Sequence, residues 1–309
     1  MTTFRKSLLA TAAALAVGIA SAPAQASTFA SAILDINNFR LLHSSGAAYS
    51  STDFTILQGT NDAHATAALN NVFANGTSSI PILAGTPNVP HQCVGAPCPA
   101  LANNDFTPFP SPPPVPGSFG YADQDLTGAS ITIGATPAGA HARTRADAST
   151  AMNSIASGNS DVGTSTTFQF TLGGSDTMTV AFDATPYTQA YVSLGSGPDA
   201  NANARLSWSI NIVDLTTRLP VFTYAPHELN ADSVRSRTDA MPGILTYTLP
   251  TAAYGSTSPL LSAGTSYQIT IQHNTLANAL QQELPEPDSV AVLAVGMLAM
   301  SIALRRRKS

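Results

Sequence analysis

The sequence predicts a mainly β protein: a β-sandwich or jelly-roll-like body, flanked by a cleavable N-terminal signal peptide and one C-terminal transmembrane helix. Three observations predict the body. Apolar residues recur at every second position in several stretches, clean helical stripes are scarce, and Gly, Ser, Thr and Pro crowd the intervals. In "NANARLSWSINIVDL" the residues Ala202, Ala204, Leu206, Trp208, Ile210 and Ile212 alternate with Asn203, Arg205, Ser207, Ser209 and Asn211. A period of two is what a strand with one buried face requires.

The elements follow in chain order. "FASAILDINNFRLL" and "STDFTILQG" read as strands, and "DAHATAALNNVF" adds a third, which "ANGT" at Ala74–Thr77 is expected to turn back toward "IPIL". "ASITIGA", "LPVFTYAP" and "ILTYTLP" are shorter candidates. "TFQFTLGGSDTMTVAF" carries two arms, Phe168, Phe170 and Leu172, then Met178, Val180 and Phe182, with a hairpin loop expected at Gly173–Asp176. "TSYQITIQHN" places Tyr267, Ile269 and Ile271 on one face. Two stretches lean toward helix by composition. "TRADASTAMNSIA" has helix-friendly alanines but no apolar stripe, and "NTLANALQQELPEP" is the more helical, expected to tether the body to the C-terminus.

One stretch departs from the pattern. Residues 81–116 hold 11 of the chain's 22 prolines, so they cannot enter a sheet interior. Three readings stand: a linker between subdomains, a long excursion from a single sandwich, or a polyproline II ligand for a partner. The only two cysteines, Cys93 and Cys98, lie inside it, and a disulfide between them would close a short ring worth about 2 kcal/mol. His91 nearby leaves open a His/Cys/Cys metal site, which lacks an evident fourth ligand.

The two ends speak of export. Arg5 and Lys6 precede "SLLATAAALAVGIA", and "AQA" at Ala24–Ala26 has the small residues of a signal-peptidase site, with cleavage expected after Ala26. At the other end, an apolar run from Val290 to Leu304 belongs to a segment that, counted from Asp288, is 17 residues or about 25 Å long as a helix, and Arg305, Arg306, Arg307 and Lys308 follow it. Such a basic cluster is expected to stay cytoplasmic, which places residues 27–283 outside the inner membrane.

Pro285-Glu286-Pro287, the apolar helix and the basic tail, in that order, resemble the PEP-CTERM sorting signal of Gram-negative bacteria. The resemblance covers residues 284–309 alone. It implies an exosortase-like transpeptidase that processes the chain near Pro-Glu-Pro, and an inner-membrane hold that is transient. The partners implied are therefore signal peptidase, the transpeptidase and the membrane, with the cell surface or extracellular matrix as the destination. It carries no catalytic residue over to this chain.

Composition excludes some functions. From Ser27 to Pro287 there are seven arginines, no lysine and 17 acidic residues, so the net charge is 7 − 17 = −10. Such a surface repels phosphate backbones, and no nucleic-acid partner is expected. No His-Glu-x-x-His or Gly-x-Ser-x-Gly motif occurs, and His43, His64, His91, His141, His227 and His273 are scattered. Three glutamates leave little for glycosidase work, while aspartate pairs stay open. "DANAN" at Asp199–Asn203 offers alternate oxygen ligands but lacks the glycine and distal glutamate of a calcium loop, and reads as a polar turn. Trp208, the only tryptophan, shares the expected core face and not an exposed sugar platform. The expectation is a non-enzymatic structural protein of the surface or matrix, without cofactor. The alternatives are a module binding extracellular polysaccharide, favoured by an exposed aromatic row, and an enzyme acting on it, favoured by an Asp/Asp or Asp/His cleft.

Overall fold

The computed structural model describes residues 27–110, 117–151, 153–162 and 166–281. Ala26, Pro285, Glu286, Pro287, the 288–304 segment and Arg305–Lys308 lie outside them. Among the described residues, all the paired strands run antiparallel and build two sheets packed face to face. The first sheet has the order β13 (Gly243–Thr248), β9 (Thr179–Val192), β1 (Thr28–Leu42), β6 (Ala140–Thr150), β5 (Ser118–Thr127) and β4 (Gln92–Ala96), with β14 (Ala252–Thr257) also on β9. The second has β11 (Pro220–Tyr224), β10 (Asn201–Asp214), β15 (Ser266–Gln281), β7 (Ser154–Val162), β2 (Phe54–Leu69) and β3 (Val72–Pro81). Here β12 (Asp232–Ser236) lies on β10, and β8 (Thr166–Leu172) continues the lane of β7 between β15 and β2.

Strands from both sides of the proline-rich stretch share each sheet, so that stretch leaves and rejoins one body. Within it β4 takes the edge of the first sheet, where missing amide donors do least harm. The chain enters and leaves the body at one pole. Thr28 lies opposite Thr150, and Gln281 opposite Ser154, only four residues further on. The far end of β1 lies about 45 Å away at roughly 3.3 Å per residue.

Several local expectations give way to tertiary pairing. "STDFTILQG" and "DAHATAAL" fuse into the single strand β2. The turn after it is Asn70-Asn71, both at positive φ, as a two-residue hairpin turn demands; "ANGT" lies within β3. Gly173–Asp176 is not a hairpin loop, because β8 and β9 belong to different sheets and the loop crosses between them. "ASITIGA" forms isolated bridges and no strand. The alanines of the helix-leaning stretches are strand residues: Ala146 and Ala148 in β6, Ala277 and Ala279 in β15. Their small side chains fill a narrow gap between sheets, which outweighs a helix preference of under about 1 kcal/mol per residue.

That gap makes the sandwich a wedge. On one side the facing residues are Ala, Gly and Ser, and the sheets approach to backbone contact. A Cβ on Gly158 would lie 2.0 Å from the Tyr121 carbonyl oxygen, and one on Gly120 would lie 2.2 Å from that of Ser157. On the other side aromatic rings prop the sheets apart: Phe182 and Trp208 with centroids at 4.5 Å, Phe39 and Phe182 at 5.7 Å, Phe54 and Phe170 at 5.7 Å. Trp208 is 1% exposed and belongs to this core.

One irregularity lies where the wedge opens. Ala30, Ala32, Leu34 and Ile36 of β1 point inward, and strict alternation would send Phe39 outward. Asn38, at φ 55°, inserts an extra residue and shifts the register against β6 and β9. Phe39 and Leu41 are thereby returned to the core.

Candidate functional site

Three places bring polar or titratable side chains together, and the cysteines introduce the first. Cys93 and Cys98 form a disulfide, so neither offers a thiolate to a metal. His91 instead accepts a structural role: its Nδ1 lies 2.8 Å from Asn103 Oδ1 and its ring stacks on Tyr121. The staple opens a strap, residues 97–110, that folds back over the outer face of the first sheet.

Arg145 of β6 holds that strap from beneath. It is fully buried, its Nε donates to Asp147 Oδ2 at 2.5 Å, and its Nη1 donates to the carbonyls of Asp105 and Thr107 at 2.9 and 2.8 Å. Its guanidinium also lies over the Phe109 ring at 4.7 Å, and Phe109 meets Phe29 edge to face. Beside it, Arg143 pairs with Asp125 and stacks on Phe106. Burial pushes the Asp147 carboxyl up despite its arginine, and also raises Asp123, which the backbone amides of Asn104 and Gln124 counteract. The two arginines each pair with an aspartate, although Arg145 Nη2 and Asp147 Oδ1 are buried without a hydrogen-bond partner, and the arrangement closes a surface more than it opens one.

The second place is the pole remote from the chain ends. His43, at the end of β1, lies between Asp176 at 2.7 Å from Nδ1 and Asp53 at 3.1 Å from Nε2, and stacks on Tyr49 at 3.7 Å. Ser44 and His43 hold the Asp176 carboxyl down to about 2, the Ser44 hydroxyl most strongly, with the Ser44 and Thr177 amides assisting. Desolvation and both aspartates raise Tyr49. This is an Asp/His cleft, the feature expected of an enzyme. Yet both ring nitrogens are already engaged by carboxylates, so no imidazole nitrogen faces a substrate. Both contacts are hydrogen bonds together only when the ring carries two protons. The residues tie the loop after β1, the Ser51–Asp53 turn and the loop before β9 into one clasp.

The third is a small cavity between the sheets at the mouth of the wedge, with a volume of about 60 Å³. Aliphatic side chains and the rings of Phe39 and Trp208 form its wall, and Asn61, Ser130 and His273 are its polar members. His273 is 2% exposed, and its Nε2 donates to the Leu34 carbonyl at 3.2 Å. Burial lowers its pKa to about 4; the Leu34 bond and the Asp35 charge oppose that, while His141 adds to it.

His273 therefore predicts an acid sensitivity. Its folded pKa lies below the ordinary 6.5, so the unfolded chain takes up a proton first as pH falls. Its share of stability is intact above pH 6.5 and declines toward pH 4, by about 3 kcal/mol at most. Urea unfolding at pH 7 and pH 4.5 should show wild type losing more than His273→Leu; parallel losses would contradict the assignment.

Other sequence candidates stay apart. Asp199–Asn203 is a turn that runs into β10, as its pattern suggests. His141 pairs with Asp35 at 2.7 Å, and His227 starts a short 3-10 turn. Tyr224, Tyr247 and Tyr254 gather near Glu228 but are half-buried and make no exposed row. Among the described residues no group of three His, Cys, Asp or Glu side chains is arranged so that it could hold a metal ion. The sequence carried a signal for His273, which has the inward parity of Tyr267, Ile269 and Ile271. It carried none for the His43 clasp, whose third member, Asp176, lies 133 residues from His43 in the chain.

Comparison with protein-family models, curated proteins and solved structures returns no match. The reading of function therefore rests on the chain itself.

Proposed function

We propose that this chain is a non-enzymatic β protein exported to the cell surface or extracellular matrix, held at the inner membrane only until an exosortase-type transpeptidase processes it. The observation that carries the reading is the order at the C-terminus: Pro285-Glu286-Pro287, an unbroken apolar run, then Arg305–Lys308. The Cys93–Cys98 disulfide suits an oxidising compartment. The pole geometry suits a tether as well, since β15 ends at Gln281 and leaves only a few residues before the motif. With that end at the membrane, the clasped pole faces outward.

A cut is needed because a 17-residue apolar helix backed by four cations does not leave a bilayer unaided. Proline disfavours helix at its own position and at the one before it, so a motif with Pro285 and Pro287 suits an enzyme that takes an extended substrate at the membrane surface. Mass spectrometry of released protein should find a C-terminus without residues 288–309. Glu286→Ala should fold normally yet trap full-length chain in the membrane fraction. Released protein still carrying "LAMSIALRRRKS" would make the segment a permanent anchor and sink the proposal.

A further inference from the structure

The two poles of the body differ in what they expose. Among the described residues, Val72, Phe73, Ile155, Leu194, Leu219 and Leu260 are the large apolar side chains at least 60% exposed. The first four stand at the pole where the chain enters and leaves. Val72 and Phe73 follow the Asn70-Asn71 turn, and the Asn70 amide donates to the Ile155 carbonyl. Ile155 in turn lies opposite Leu280, next to the last residue of β15. Leu194 stands at the same level on the loop after β9, since the amide of Ser193 donates to the carbonyl of Ser27.

The segments that carry these four hold no charge. Residues 65–81, 151–160, 190–198 and 274–282 contain no Asp, Glu, Lys or Arg, so no ion loses its hydration when the apolar groups are covered. The remote pole is the opposite: Leu219 follows Arg218, and Asp53, Asp176 and His43 meet in the clasp. An uncharged end with several exposed apolar side chains marks a contact surface. Its occupant follows from the tether. Residues 282–289 separate Gln281 from the apolar run that opens at Val290, and extended they span at most about 30 Å. The pole therefore stays within that distance of any bilayer the run enters. The exposed groups stand on two tips, a hairpin turn and a loop, each from a different sheet. A rigid partner must match such prongs in shape, whereas lipid closes around them. A tethered pole also meets lipid continuously, while a second copy must first be encountered.

We propose that this pole docks on the bilayer, with Phe73, Ile155 and Leu194 inserted at the lipid interface and Val72 beside them. The inference rests on the membrane hold proposed above and adds to it the surface of the body that lipid covers. Docking keeps the chain beyond Gln281 at the membrane surface, where the processing enzyme works.

The test reconstitutes the full chain in phosphatidylcholine vesicles whose acyl chains are either plain or brominated near the carboxyl end. Trp208, 1% exposed, supplies a constant core signal, and Phe73→Trp and Leu219→Trp add reporters at the two poles. Brominated lipid should quench the signal added by Phe73→Trp at least about two-fold, because interfacial side chains settle about 5–10 Å into the boundary of headgroups and acyl chains. The signal added by Leu219→Trp should not change. Ile155→Asp with Leu194→Asp should relieve the Phe73→Trp quenching, since a carboxylate resists entry into lipid.

Flotation of the vesicles reads the anchor separately. Floating chain whose Phe73→Trp signal is not quenched overturns the docking alone; chain that does not float overturns the membrane hold with it. Quenching that survives both aspartates also overturns the docking, because the tether by itself then sets the distance. A blue-shifted but unquenched signal overturns it in favour of a second copy of this chain. The two reporters decide the matter even where the double aspartate variant does not fold.

Discussion

Gly158→Ala should lower stability by about 3 kcal/mol or more, an unusual cost for one added methyl group. The new Cβ would lie 2.0 Å from the Tyr121 carbonyl oxygen and 2.8 Å from that of Asp147, both backbone atoms of the facing sheet. A side chain can rotate away from such a contact; two laddered strands cannot. Relief requires the sheets to separate on the thin side of the wedge, where Ala, Gly and Ser leave no spare volume. Gly174→Ala is the control, since a Cβ there meets nothing within 4 Å, and it should change stability by under about 0.5 kcal/mol. Urea unfolding of the two variants checks the claim. If Gly158→Ala unfolds with the midpoint of wild type, the sheets are not in backbone contact.

Arg145→Met should cost about 3–5 kcal/mol, the usual penalty for stripping the partner from a buried charge. Asp147 would stay fully buried without its cation, and the carbonyls of Asp105 and Thr107 would lose their donor. The sign with pH is opposite to that of His273. The carboxyl of Asp147 is already raised by burial, and removal of the arginine raises it further, so acid protonates it and relieves the variant. The deficit should therefore shrink as pH falls through that raised pKa. Arg145→Met combined with Asp147→Asn should recover much of the loss. Limited proteolysis gives a second reading: the single variant should be cut within residues 97–110 faster than wild type. Equal cleavage and equal stability would show that the strap is held by its disulfide and proline content alone.

The pair also shows why the strap was only partly legible. Proline density announced that residues 81–116 avoid a sheet interior, and β4 at a sheet edge accords with that. Nothing in "HARTRADAST" announced that Arg145 would be fully buried, because an arginine between polar residues on a strand reads as solvent-facing. It is buried because a segment some 40 residues earlier in the chain folds over it.

What the sequence by itself determined is local. A period of two fixes which side chains share a face, so Trp208, Phe168, Phe170, Ile269 and Ile271 could be assigned to the interior, and the cysteine spacing allowed a disulfide, without any knowledge of partners. The tertiary structure decided everything that depends on what lies opposite. Residues 274–281 favour helix in isolation, yet they form a strand because Ala277 and Ala279 fit the thin side of the wedge. The Asn38 bulge reverses the parity of β1, and with it the cavity wall, only because β6 and β9 hold both flanks in register. His43, Asp53 and Asp176 meet because the ends of β1 and β8 reach the same pole from different sheets. Alternation is a property of neighbours in the chain, whereas gap width, register and charge pairing belong to neighbours across it.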